Sequence, residues 1–271
     1  MSMAEPNRDE LRQTPATIFE SFDGWAQLLR QVADPGTTAG DGPSINEPSA
    51  AAREPERADA RAFRPTVRRP MAVVHIVDDG LESGETVRMR GDTLVIGRSE
   101  GDIVIPHDIS MSTRHASIER LPEGGWQLAD LGSAGGTFVR VTTAKLRNGT
   151  VIQLGGTRFR FETAFGYATG VADGPTNPRL VEILPHGPGR VHDCPGPLTT
   201  IGRADGGCCV AIDDPFVSGR HAAIHHTGRG WRIENSGSNG LWVRIEAPLR
   251  LTVPSQFQCG EQRFIFVPLV T

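Results

Sequence analysis

The sequence predicts an all-β protein: two tandem β-sandwiches preceded by a mostly disordered arm with one short amphipathic helix. Three observations lead there. The first is a long internal repeat. Ile96-Gly97-Arg98, Ser112-Thr113-Arg114-His115, Trp126 and Gly136-Thr137-Phe138-Val139 recur as Ile201-Gly202-Arg203, Ser218-Gly219-Arg220-His221, Trp231 and Gly240-Leu241-Trp242-Val243, at an offset that stays between 104 and 106. A fixed period this long marks two copies of a whole domain. The second is a period of two from residue 72 onward, punctuated by Gly, Asp, Asn and Pro clusters at sandwich-like intervals. The third is a change of composition. Residues 34–70 are dense in Pro, Gly, Ala, Ser and charge, and cannot bury enough apolar surface to offset the entropy of ordering.

The elements follow in order. The arm spans 1–71. Within it Ile18, Phe22, Trp25, Leu29 and Val32 recur at helical spacing, which predicts a helix near 17–33. Thr17 and Glu20 stand at capping-box spacing, and Asp34-Pro35-Gly36 ends the run. This helix either packs on the chain's own domains or docks on another protein. The first domain is expected over 72–165, with strands at Val73–Val77, Thr86–Met89, Thr93–Ile96, His115–Ile118, Trp126–Leu128, Thr137–Val141, Val151–Leu154 and Arg158–Phe161. A Gly/Pro-rich connector, 166–178, leads to the second domain, 178–271. Its strands run from Leu180–Leu184 to Phe264–Val267. Trp126 and Trp231, at strand starts, are expected in the cores, and Trp242 partly exposed.

Composition narrows the function. The net charge is −4 and no Lys/Arg run is dense, so a nucleic-acid partner is not expected. No apolar run reaches about 18 residues, so no membrane insertion is expected. The polar, acidic Met1–Arg12 has no apolar secretory core, so a cytoplasmic location is expected. All four cysteines, Cys194, Cys208, Cys209 and Cys259, fall in the second copy. Their spacing fits no usual zinc pattern, so no metal or other cofactor is expected and buried or half-buried free thiols are.

The residues that recur belong to anion chemistry. A strand ending in Gly-Arg sets a guanidinium at the sheet's edge, and glycine lets a ligand approach. A serine about fifteen residues on offers a hydroxyl and a backbone N–H, and the three together suit a dianionic phosphate. A small-residue turn before Gly136-Thr137 or Gly240-Leu241 lies on the same edge and can hold a peptide backbone. Catalysis finds little support. Ser112/His115 and Ser218/His221 could pose as nucleophile and base, but Gly-x-Ser-x-Gly, a P-loop and His-Glu-x-x-His are absent. No acidic orienter is evident at a matching place in both copies.

The ordered set Gly-Arg, Ser-x-x-His and an Asn-Gly-like turn, present twice, resembles the forkhead-associated (FHA) domain over roughly 72–164 and 179–269. The resemblance implies eleven-stranded sandwiches whose loops bind phosphothreonine peptides. Carried over by position, it implies that Arg98 and Ser112, with Thr113 beside them, grip phosphate in the first copy. Arg203 and Ser218 do so in the second, and His115 and His221 brace the loops from inside. It implies a peptide-anchoring Asn at Asn239, where the first copy has Gly135. The second copy is therefore the better match, although Gly219 lacks the side chain of Thr113. The expected partners are phosphothreonine-containing proteins, substrates of a Ser/Thr kinase, in signalling or secretion-system regulation. A phosphorylated arm, through Thr14, Thr17 or Thr66, would allow self-association. The alternative is a phospho-independent scaffold of two degenerate domains.

Overall fold

The computed structural model describes residues 71–77, 84–163 and 177–269. The expected helix, the arm threonines and nearly all of the connector lie outside these residues. Strands dominate what is described. The first repeat gives β1 (Ala72–Val77), β2 (Thr86–Arg88), β3 (Thr93–Gly97), β4 (Ile103–Val104), β5 (Ala116–Arg120), β6 (Trp126–Asp130), β7 (Thr137–Val141), β8 (Thr143–Leu146), β9 (Val151–Leu154) and β10 (Thr157–Glu162). The second gives β11 (Arg179–Leu184), β12 (Gly187–Asp193), β13 (Leu198–Arg203), a 3-10 turn at Ala204–Gly206, β14 (Val210–Ile212), β15 (Ala222–Thr227), β16 (Gly230–Asn235), β17 (Leu241–Arg244), β18 (Leu249–Leu251), β19 (Ser255–Cys259) and β20 (Gln262–Pro268).

The repeats are not assembled one after the other. One sheet runs β12-β11-β10-β9-β17-β7-β19-β20-β1-β2, and two smaller sheets run β14-β13-β15-β16-β8 and β18-β6-β5-β3-β4. Thus β8, β9 and β10 of the first repeat complete the sandwich begun by the second, while β18, β19 and β20 complete the first. One sandwich is contiguous, β8 to β17. The other is made of β1–β7 plus β18–β20 and encloses it in sequence. The expected boundaries at 72–165 and 178–271 mark the sequence repeats, whereas strand pairing cuts the chain at Thr142 and at 245–248.

Local sequence explains the crossing. Val139-Arg140-Val141-Thr142-Thr143 carries no turn residue, and one residue separates β7 from β8. A β-branched run of this kind stays extended. The chain therefore leaves one sheet and enters another, as short hinges do in strand exchange.

Packing follows the exchange. Trp126 meets Phe266 edge-on at 5.7 Å between ring centroids, and Phe161 lies 6.1 Å from Trp231. Each pair joins one repeat to the other. Phe159, Phe161, Phe264 and Phe266 are fully buried, each stabilising by about 1.5–3 kcal/mol. Trp126 is core as expected, Trp231 is half-buried, and Trp242 is buried at 1% exposure, contrary to expectation. The cause is a seam on the back of the long sheet, where Phe138, Val151 and Trp242 cluster. Gln153 donates to Gln258 Oε1 at 3.2 Å although β17 and β7 lie between their strands, so the sheet folds back on itself there. Arg158 stacks over Phe138 and Arg263 over Trp242, at 4.8 and 4.9 Å.

The four cysteines are free. Burial pushes the Cys194 thiol up to about 12 and raises that of Cys259 as well. Cys209 is exposed, which departs from the expected buried or half-buried thiols, because it lies in the bend just before β14, the edge strand of its sheet.

Candidate phosphopeptide site

Each site is built from three loops at one end of a sandwich. In the first, β3 ends at Gly97 and the Arg98 N–H donates to Ser112 O at 2.9 Å. In the second, Arg203 donates to Ser218 O at 3.0 Å. The glycine before each arginine is demanded by sterics. A Cβ on Gly97 would overlap the carbonyl oxygens of Thr113 and Glu100, and one on Gly202 would overlap that of Gly219. The arginine-bearing and serine-bearing loops are thereby held in contact.

The serine ties the second loop to the third. Ser112 Oγ accepts the Ala134 N–H at 3.0 Å, and Ser218 Oγ accepts that of Ser238 at 3.4 Å. Both serines are half-buried, Thr113 is exposed and Gly219 is half-buried.

His115 and His221 lie fully buried behind these serines. His115 Nδ1 accepts the Ser112 N–H at 3.1 Å, so Nε2 carries the proton and donates to Gly136 O at 3.2 Å. His221 repeats the arrangement with Ser218 and Gly240, at 3.0 and 3.1 Å. Burial lowers the His115 pKa, although the Gly136 carbonyl opposes the shift. Both ring nitrogens of each histidine are spent on backbone. Neither is left to take a proton from the serine hydroxyl.

The third loops differ. In the first copy Asp130 accepts the N–H groups of Gly132 and Ser133 and the hydroxyls of Ser133 and Thr137, at 2.6–2.9 Å. Burial pushes its carboxyl upward, but these donors outweigh burial and hold it below the usual range. In the second copy Asn235 stands in that place and accepts the Gly237 N–H. Gly136 and Gly240 both adopt positive φ, 78° and 79°. Asn239 is half-buried, and its amide donates to Phe216 O at 2.7 Å, drawing the turn against the serine loop. Gly135, at the matching place, leaves the first turn without that bond.

The arginines are also unlike. Arg203 forms an ion pair with Asp205, Nε to Oδ1 at 2.9 Å and Nη2 to Oδ2 at 2.8 Å. That bonding raises the Arg203 pKa and lowers the Asp205 pKa. Arg98 has no such side-chain partner among the described residues.

Each site leans on the other repeat. Asp108 Oδ2 accepts the N–H groups of Glu261 and Gln262, and Asp214 Oδ2 accepts the Gly156 N–H and the Thr157 hydroxyl. The serine loop of each repeat thus rests on a hairpin supplied by its counterpart. Arg140 donates to Ser238 O, and the Arg244 side chain packs on Gly136. These residues escaped the sequence reading. Asp108 and Asp214 are a matched acidic pair four residues before each serine, which corrects the reading that none stands in both copies. They orient hairpins, not histidines. Asp-x-Ser and Asp-Leu-Gly-Ser are Asx-turn signals that could have drawn attention to Asp108 and Asp130.

Comparison with known proteins agrees with these motifs. The FHA domain model matches residues 94–155 and 199–260. The FHA domain-containing protein FhaB of Mycolicibacterium smegmatis is 34% identical over 95 residues, 33% of this chain and 60% of its own length. The glycogen accumulation regulator GarA of the same organism is 34% identical over 91 residues, 32% of this chain and 57% of its own. The chain thus spans about three-fifths of the length of these curated relatives. Among solved structures, the FHA domain of CT664 from Chlamydia trachomatis aligns with 74% of this chain and 99% of its own, at 13% identity and TM-score 0.31. A structure from work on phosphothreonine-dependent FHA domain interactions aligns with 32% of this chain and 91% of its own, at 34% identity and TM-score 0.23. With the Gly-Arg, Ser-x-x-His and turn motifs in place twice, the chain belongs to the FHA family and carries its domain in two copies.

Proposed function

We propose that the chain is a non-enzymatic adaptor that binds proteins through phosphothreonine, the modification being made by a Ser/Thr kinase. One observation supports this most: both copies keep the same cage. An arginine at a strand end is hydrogen-bonded to a serine loop, the serine meets a turn amide, and a buried histidine braces both loops. Arg98 or Arg203 would supply a charged fork to the phosphate. Ser112 or Ser218 would turn its hydroxyl from the loop amide to a phosphate oxygen, with Thr113 adding a second hydroxyl in the first copy. The Asn239 amide would exchange its Phe216 partner for a peptide carbonyl. Solved relatives support the reading, one described as EmbR of Mycobacterium tuberculosis in complex with a low affinity phosphopeptide and another as the FhaA FHA domain with the intracellular domain of Rv3910.

The test is calorimetry of the full chain with phosphothreonine peptides and their unphosphorylated forms. Only the phosphorylated forms should bind. Arg98→Ala and Arg203→Ala should each weaken one site by about 1.5–3 kcal/mol, one charge-assisted bond, which is roughly ten- to hundredfold. Equal affinity for both forms would replace this reading by that of a phospho-independent scaffold.

A further inference from the structure

We infer that the chain bridges two separate phosphorylated partner molecules in opposed orientation, and does not clamp two phosphothreonines of one short segment. The inference rests on the phosphothreonine reading of the two sites and adds the geometry between them. β7 and β17 pair antiparallel with Val139 opposite Val243, and Leu241 and Arg244 opposite Val141 and Phe138. Val139 and Val243 are equivalent residues of the two repeats, so a local twofold passes between them. Gly136 precedes Val139 by three residues and Gly240 precedes Val243 by three. The binding turns therefore lie at opposite ends of one ladder, about 20 Å apart along it at 3.4 Å per residue.

This arrangement is fixed by strand exchange. The two sandwiches share the ladder, with β17 pairing with both β7 and β9, and β7 with both β17 and β19. The Gln153–Gln258 bond and the Arg140 bond to Ser238 O lock the same seam. The segment 164–176 joins β10 to β11, which are neighbours within one sandwich. Its length thus has no bearing on how the sites face each other. Two phosphothreonines four residues apart reach at most about 14 Å in extended chain, and a twofold also requires the bound backbones to run in opposite senses.

The experiment uses the full chain and the tightest phosphothreonine peptide from a library, labelled in separate batches with donor and acceptor dyes. Two peptides should bind per chain, with energy transfer between them. Arg98→Ala and Arg203→Ala should each leave one. A Gly-Ser stretch of about twenty residues inserted after Val171 should leave the transfer unchanged. A peptide with two phosphothreonines four residues apart should still bind two per chain with no gain in affinity. A one-to-one complex tenfold tighter than the single-phosphate peptide, one peptide per chain at saturation, or transfer lost on the insertion would each overturn the bridge. Failure to distinguish phosphorylated from unphosphorylated peptide would instead remove the reading beneath it.

Discussion

Arg203 and Asp205 stand two residues apart at the rim of the second site, joined by two parallel hydrogen bonds of 2.9 and 2.8 Å. A carboxylate thus already occupies the fork that a phosphate would use. At the first site the matching acid is Glu100, and no bond from it to Arg98 forms among the described residues.

The first prediction concerns this masking. Asp205→Asn should tighten phosphopeptide binding at the second site a few-fold, because the phosphate no longer displaces an anion. The gain is small because both groups are exposed and screened. It should shrink further in high salt. Titrations of the Arg98→Ala background, in which the second site acts alone, measure it. An unchanged or weaker affinity would show that Asp205 orients Arg203 and does not compete for it.

A second prediction concerns the first turn. A Cβ on Gly135 would find its nearest neighbours, Arg158 Nη1 and Ser110 O, at 3.6 Å, so a side chain fits. Ser110 is the counterpart of Phe216, whose carbonyl receives Asn239. Gly135→Asn should therefore supply an amide that rests on Ser110 O in the free protein and turns to a peptide carbonyl on binding, tightening binding at the first site by up to about 1 kcal/mol. Calorimetry in the Arg203→Ala background checks it.

The third concerns pH. The folded state depresses the His115 pKa below its usual 6.5 by burial, so the unfolded chain binds more protons there. The stability tied to neutral His115 is complete above pH 6.5 and is lost as the pH falls below it. Asp130, also depressed, acts only lower, below its usual 3.8. Melting temperature should already fall between pH 6.5 and 4.5, and His115→Gln should flatten that part of the curve while lowering the whole. A wild-type curve level over this range would refute the assignment.

The fourth concerns the exchange. Residues 72–165 and 178–271, expressed together as separate chains, should purify as a one-to-one complex, since each supplies three strands to the other. Residues 142–246 alone should give a folded monomer, because β8–β17 form one sandwich. Fragments that ignore each other, both folded and monomeric, would exclude the exchange in solution.

The sequence revealed the parts more readily than their assembly. Gly97-Arg98, Ser112, His115 and their counterparts are legible because each residue's chemistry is local to a strand end or a loop. The exchange is not legible, for a physical reason. Phe159-Arg160-Phe161 and Phe264-Ile265-Phe266 offer the same buried face and the same backbone groups, so either hairpin satisfies either sheet. Pattern alone cannot choose between them. Trp242 was misjudged for the same cause, since the face it covers exists only once the sandwiches share a sheet. Asp205 was missed because an acid two residues from an arginine has no distinctive spacing.

The nesting of one sandwich inside the other sets an order of birth. On the ribosome, the enclosed sandwich has all its strands once Arg244 has emerged, although its binding serine is the later of the two. The outer one begins at Ala72 but must wait with open edges on β1 and β7 until Pro268 is free. The first-made site is thus the last to mature, and a nascent chain cut short anywhere before β20 carries Arg98 and Ser112 on an unfinished scaffold. Open strand edges of this kind recruit other strands. Premature termination before β20 is complete should therefore disable the first site and yield association between chains, where the same loss from two independent domains would disable the second site instead.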